Sequence, residues 1–175
     1  MGELQTVNVS IALQDSGLPW LTFQLAGEAF ALPIRQVKEI IQFGGITSIP
    51  LTPPYIRGVI NLRGAVVPVL DLAVRFDKPP VEARRQTCIV IVELANESQH
   101  LDVGLVVDAV SEVIDIPADA IAPPPRFGAR IRVDFMTGIA NLDQHFVILL
   151  DLARILNLEE LANVAQFEQA ACPAG

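Results

Sequence analysis

The chain has 175 residues, 51% of them hydrophobic, and a formal net charge of −8. A chain of this size folds as one domain, or as two small units sharing a core, and buries about 70% of its unfolded surface without a disulfide staple. The acidic balance disfavours nucleic acid, whose phosphates require clustered Lys and Arg, and no run approaches the ~18 apolar residues of a spanning helix.

The N-terminal arm, residues 1–17, lacks the basic start and compact apolar run of a signal peptide. Trp20–Leu25 alternates as a strand and ends at a Gly27-Glu28 turn, and Ala29–Pro33 is a second short strand. In Ile34–Ile41 two readings compete: Ile34, Val37 and Ile41 fit a helical turn, and Val37–Ile41 fits a strand. Gly44-Gly45 turns the chain and Ile46–Ile49 is a short strand. PLTPPY (50–55) cannot continue it, because its three prolines lack the N–H that a ladder needs. Gly58–Leu62 and Ala65–Leu70 flank Arg63-Gly64 as a hairpin, with Gly64 supplying positive φ. Pro68 places the second arm at an edge or at an interruption of its ladder.

Asp77–Arg85 is a polar linker. Thr87–Leu94 and Leu101–Val107 are strands joined by the polar turn NESQH, Val113–Ile116 is short, and PADAIAPPP is a broken connection. Arg130–Phe135 alternates as an exposed strand, and Gly138–Leu142 with His145–Leu150 forms a second hairpin around Asp143-Gln144. Asn157–Gln169 carries Leu158, Leu161, Val164 and Phe167 at helical spacing, which predicts a C-terminal helix over 157–170 and a tail over 171–175. Cys88, in an apolar run, reads as a buried thiol and Cys172 lies in the tail. Nothing resembles a secreted disulfide framework, so a cytoplasmic location is expected.

The chain repeats itself. At an offset of 73, Leu32, Val37, Glu39 and Ile41 fall on Leu105, Val110, Glu112 and Ile114. At an offset of 80, Gly58, Asn61, Leu62, Val67, Leu70 and Asp71 fall on Gly138, Asn141, Leu142, Val147, Leu150 and Asp151. Two copies suit two small β-barrels related by a pseudo-two-fold axis. The shared letters read as architecture: Gly58 and Gly138 for a close backbone approach, Asn61 and Asn141 for bonds to local backbone, Asp71 and Asp151 for helix caps. Function is then expected where the copies differ, above all where Arg63 in the first becomes Asp143 in the second.

The sharpest enzyme reading is a small β-barrel enzyme using Asp71 and Asp151 as paired carboxylates. Aspartic proteases set each Asp in an Asp-Thr/Ser-Gly loop, whereas both are Asp-Leu-Ala here, and Asp15-Ser16-Gly17 is unpaired. His100 and His145 have no second ligand at metal spacing, and there is no phosphate loop or nucleophile elbow. No catalytic residue, cofactor or metal is therefore expected. A binding surface is the better expectation, with Val37, Ile40 and Ile41 too many apolar groups for one narrow core.

FALPIRQVKEII, YIRGVINLRG, VVPVLDL, VGLVVDAVSEVIDI and FMTGI together resemble the CheW family of chemotaxis coupling proteins, over about residues 18–160. The resemblance implies a mainly β fold of two intertwined SH3-like five-stranded barrels, the first mainly about 29–76 and the second mainly about 87–156, with strands exchanged, short helical turns and a C-terminal helix. It implies a non-catalytic scaffold joining the cytoplasmic tips of methyl-accepting chemoreceptors to the regulatory domain of a CheA-type histidine kinase, touching the membrane only through receptors. An equivalent coupler of another chemosensory pathway, for twitching motility or surface sensing, is the alternative. The receptor- and kinase-facing candidates carried over by motif are Val37, Glu39, Ile40, Gly58, Leu62, Arg63 and Gly64. PPPRFGARIRVDF is a second candidate, for kinase contact or array packing. A Glu39–Arg63 ion pair is expected in the first copy and excluded from the second, which has Glu112 and Asp143.

Overall fold

The computed structural model describes residues 18–95, 100–124, 132–142, 145–156 and 161. Among them, β1 (Leu18–Leu25) and β2 (Glu28–Pro33) form a hairpin in which Phe23 faces Phe30. Its turn is Ala26-Gly27, both at positive φ (53° and 80°), one residue earlier than expected because Glu28 already pairs with Leu25. Both readings of the next segment are realised in succession: a 3-10 turn at Ile34–Gln36, then β3 (Val37–Gln42).

The chain continues through β4 (Ile56–Leu62), β5 (Ala65–Asp71), α1 (Leu72–Arg75), β6 (Cys88–Ala95), β7 (His100–Val107) and β8 (Ala109–Ile116). It ends, among the described residues, with β9 (Ile121–Ala122), β10 (Met136–Leu142), β11 (His145–Leu150) and α2 (Leu152–Ile155). Asp71 and Asp151 cap the two helices as the repeat implied: the Ala73 and Ala153 N–H groups donate to their carboxylates at 3.0 and 3.1 Å. Pro68 aligns with Val59 on one side, and on the other the parallel pairing of β5 with β7 starts only at Val69, so the missing N–H breaks no ladder.

The strands make two sheets, β3-β6-β7-β5-β4 and β8-β1-β2-β11-β10-β9. Set side by side, these are the same order. The repeat equates β1–β5 with β6, β7, β8, β10 and β11, so each half donates its first hairpin to the sheet of the other. Strand exchange therefore runs deeper than a division at 29–76 and 87–156: β2 lies beside β11, and β6 and β7 lie between β3 and β5. The reason is burial. β1 and β7 are covered on both faces over most of their length, residues 20–23 and 103–107 all being buried. Strands of that kind belong inside a sheet, not at its edge.

Where the sequence reading departs from the fold, backbone partners explain it. Ile46–Ile49 is not a strand but a single bridge, Thr47 to Val59. The counterpart in the second sheet is β9, which pairs with Ile139 and Ala140 and was expected to be a broken connection. Of Arg130–Phe135, residues 132–135 are described, and Val133–Phe135 is a 3-10 turn that buries Phe135, so alternation there did not signal a strand. The expected helix over 157–170 lies outside the described residues apart from Leu161, which is buried.

One core serves both sheets. Phe23, Phe30, Phe76 and Phe135 form a column with successive centroids 5.9, 5.5 and 5.6 Å apart, passing from the exchanged hairpin through the end of α1 to the turn before β10.

The two repeat glycines explain themselves in the same way. A Cβ on Gly58 would lie 2.0 Å from the Thr47 carbonyl oxygen, and one on Gly138 2.5 Å from that of Ala122. Gly58 also holds φ +145°, outside the range of other residues. Gly58→Ala should cost roughly 2–4 kcal/mol in denaturant unfolding, with Gly138→Ala destabilising but less so. Equal stability of Gly58→Ala and wild type would refute the close-approach account.

Candidate functional site

The five-stranded sheet has β3 at one end and β4 at the other. No ladder joins them, yet their side chains meet. Arg63, at the β4–β5 turn, donates two hydrogen bonds to the Glu39 carboxylate on β3, at 2.5 and 3.1 Å. The pair is a bidentate fork across the seam where the sheet curls back on itself. Glu39 is largely covered and Arg63 is 74% exposed, so the outer face of the guanidinium is open to a partner. The Glu39 hydrogen bonds, with its charge, hold Arg63 above its ordinary pKa.

The turn makes this geometry possible at a cost. Arg63 and Gly64 have φ of 53° and 86°, the left-handed pair that a two-residue hairpin turn requires. Glycine accepts this freely, but arginine does not. The Asn61 side-chain oxygen Oδ1 steadies the turn by accepting the Gly64 N–H at 3.0 Å, as its place in the repeat suggested. A strained arginine at a turn that would favour Asn or Asp points to a use for the side chain beyond the turn itself.

The remaining motif-derived residues divide. Val37 and Leu62 are half-buried and pack on the core edge beside the pair. Ile40 is 42% exposed, but strand alternation sets it with Lys38 and Gln42, away from Glu39. Gly58 is buried beneath Thr47 and so contributes backbone fit, not exposed surface. In the second copy Glu112 is exposed and its carbonyl accepts the Thr22 hydroxyl at 2.9 Å. Asp143 lies outside the described residues, as do 125–131 of PPPRFGARIRVDF. Of the rest of that stretch, Arg132 pairs with Asp134 at 3.0 Å and covers the Phe135 ring.

Two polar groupings escaped the sequence reading because their members are distant in the chain. Lys38 reaches across β6 to Asp102 on β7, at 3.0 and 3.2 Å, with Glu93 at 4.0 Å. The Asp102 hydrogen bond and charge raise the Lys38 pKa, so the lysine keeps its charge through neutral pH, and its part of the bridge is lost as pH rises through its folded-state value. The second grouping centres on buried Asp71. Besides capping α1, it accepts the Val81 N–H at 2.9 Å and both Nε and Nη2 of Arg57 at 3.1 and 3.0 Å. Arg57 also donates to the Val81 carbonyl. This ties the polar linker to the barrel and accounts for Asp71 without chemistry. Asp151 caps α2, with Arg154 at 3.6 Å, and makes no such tie among the described residues.

A cavity of about 410 Å³ lies between the β1–β2 turn and the linker. Its charged residues are engaged locally, Asp108 with the Ala26 N–H at 2.8 Å and Arg84 with Glu82 at 2.8 Å. Among the described residues no group of three His, Cys, Asp or Glu side chains could hold a metal.

Comparison with known proteins places this geometry. The CheW-like domain family matches residues 19–160. Chemotaxis protein CheW of Klebsiella aerogenes is 36% identical over 164 residues, covering 94% of this chain and 96% of that one. Protein PilI of Pseudomonas aeruginosa is 28% identical over 142 residues, covering 78% and 76%. The crystal structure of scaffolding protein TtCheW from Thermoanaerobacter tengcongensis superposes with a TM-score of 0.73 at 37% identity, covering 82% of this chain and 90% of that one.

The unequal roles of the paired aspartates are testable. Asp71→Ala removes a cap and strips a half-buried arginine of its carboxylate, and should cost roughly 2–4 kcal/mol. Asp151→Ala should cost about 1 kcal/mol. Urea titration of both variants checks this, and equal losses would contradict the linker-anchoring role. Arg63→Asn should keep or raise the melting temperature, because asparagine tolerates the left-handed turn.

Proposed function

The chain belongs to the CheW-like domain family and is a scaffold of chemotaxis signalling, and we propose that it couples methyl-accepting chemoreceptors to the regulatory domain of a CheA-type histidine kinase. The observation that carries the proposal is the Glu39–Arg63 fork across the seam of the first barrel. It presents a fixed, outward guanidinium flanked by Val37 and Leu62, with Ile40 exposed on the neighbouring face. A receptor tip that is a helical hairpin with apolar and acidic groups would complement such a surface, and charge on the rim governs which partner is accepted. Gly58 and Gly64 belong to the site as the backbone that allows its shape.

The protein works without catalysing a reaction: its part is to hold receptor and kinase in one assembly, so that receptor state reaches the kinase. No helix among the described residues is long and apolar enough to cross a membrane. We place the protein in the cytoplasm, at the inner face of the membrane through its receptors. The similarity to PilI supports a second reading, in which the receptors belong to another chemosensory pathway. A panel of receptor fragments from different pathways separates the two, since only cognate fragments should co-sediment.

Arg63→Glu should weaken co-sedimentation with receptor membranes and kinase roughly tenfold, with the melting temperature unchanged because exposed pairs add little stability. The swap Glu39→Arg with Arg63→Glu rebuilds the fork with its charges exchanged. If the guanidinium is itself recognised, the swap stays defective, and if only the turn's shape matters, it recovers. Ternary assembly unaffected by Arg63→Glu would overturn the proposal.

A further inference from the structure

Arg75, which ends α1, touches the second repeat at two points and its own repeat at a third. Its Nε donates to the Ile155 carbonyl oxygen at 2.8 Å. Its guanidinium carbon lies 4.9 Å from the Tyr55 ring centroid and 4.9 Å from that of Phe135. The 80-residue offset makes these contacts more than a list. Position 75 falls on 155, and 55 on 135. The equivalence holds in the backbone too: the Asp71 N–H donates to the Tyr55 carbonyl at 2.7 Å and the Asp151 N–H to that of Phe135 at 2.9 Å. A residue that touches its own repeat equivalent lies at the axis relating the two halves, as in any isologous contact. Arg75 thus sits on the pseudo-two-fold axis with one ring from each repeat against it.

We propose that Arg75 is a positioning residue: a single guanidinium on the pseudo-symmetry axis, held by Tyr55 beside one sheet and Phe135 beside the other, that sets the angle between the two sheets. The apolar core alone resists separation but is non-directional. A planar cation held between two rings and one carbonyl is directional. The repeat places a hydrophobic Ile155 where a second arginine would stand, so two like charges never meet at the axis. Among the described residues no carboxylate pairs with Arg75, which leaves the rings and the Ile155 carbonyl to fix its plane. The functional consequence rests on the coupling role proposed above: an assembly that contacts both sheets requires one angle between them.

The test uses the full chain with Cys88 and Cys172 replaced by alanine and spin labels at Gln42 and Ser111, exposed positions on β3 and β8 in different sheets. Arg75→Leu should broaden the interspin distance distribution, and Arg75→Lys should do so partly, since it keeps the charge and loses the plane. Should Arg75→Leu fail to fold, Tyr55→Leu removes one face of the same clamp and should broaden the distribution likewise. Assembly with receptor membranes and CheA-type kinase should fall roughly tenfold in parallel with the broadening. A distribution as narrow as wild type in a folded variant overturns the clamp, and a broadened one with wild-type assembly overturns its functional part. Failure of the labelled wild type to assemble is a failure of the coupling proposal instead, and the distance measurement still decides the clamp.

Discussion

The structure depends on the exchange of the first hairpin between the two repeats. β1 finds one partner at once in β2 and the other about 90 residues away in β8, and β6 and β7 are bracketed by β3 and β5. Neither sheet is complete without the other half's hairpin, so the halves share one aromatic column and one folding fate. Contacts so distant in sequence carry a large loop-closure cost before they stabilise anything. The chain meets it with strands apolar on both faces, which have nowhere else to go.

Exchange also decides where the edges fall. The five-stranded sheet ends at β3 and β4 and the six-stranded sheet at β8 and β9, and in the first the two ends meet through Glu39 and Arg63. Backbone pairing there is reduced to single bridges or the two residues of β9, and side chains must manage the remainder. In the first barrel a charged fork does so, and an arginine accepts left-handed geometry to make it. The residues of the second barrel do not allow that fork. A molecule built from two copies thereby acquires one distinctive face, which a scaffold with different partners requires.

Much of this was legible in the sequence because it is local or repeated. Gly58, Asn61 and Asp71 recur at a fixed offset, and each occupies the structural role its chemistry suggested. The Glu39–Arg63 pair could be anticipated because Glu39 is matched by Glu112 while Arg63 becomes Asp143, so only the first copy brings opposite charges together. The Lys38–Asp102 bridge could not, since nothing in the chain says that β3 and β7 are two strands apart with β6 between. The Arg57–Asp71–Val81 tie was hidden for the same reason. Alternation in Arg130–Phe135 misled because Phe135 is buried by a ring column and not by a sheet face.

The sequence by itself determined the elements and their two-fold repetition: hydrophobic period, turn glycines and prolines, and capping aspartates act within a few residues, and the repeat makes each signal count twice. Only the tertiary structure decided which half each hairpin joins, which strands become edges, and that Arg75 meets its own repeat equivalent between Tyr55 and Phe135. Those outcomes depend on which burial of the doubly apolar strands leaves the fewest exposed, a property of the whole chain that no local window contains.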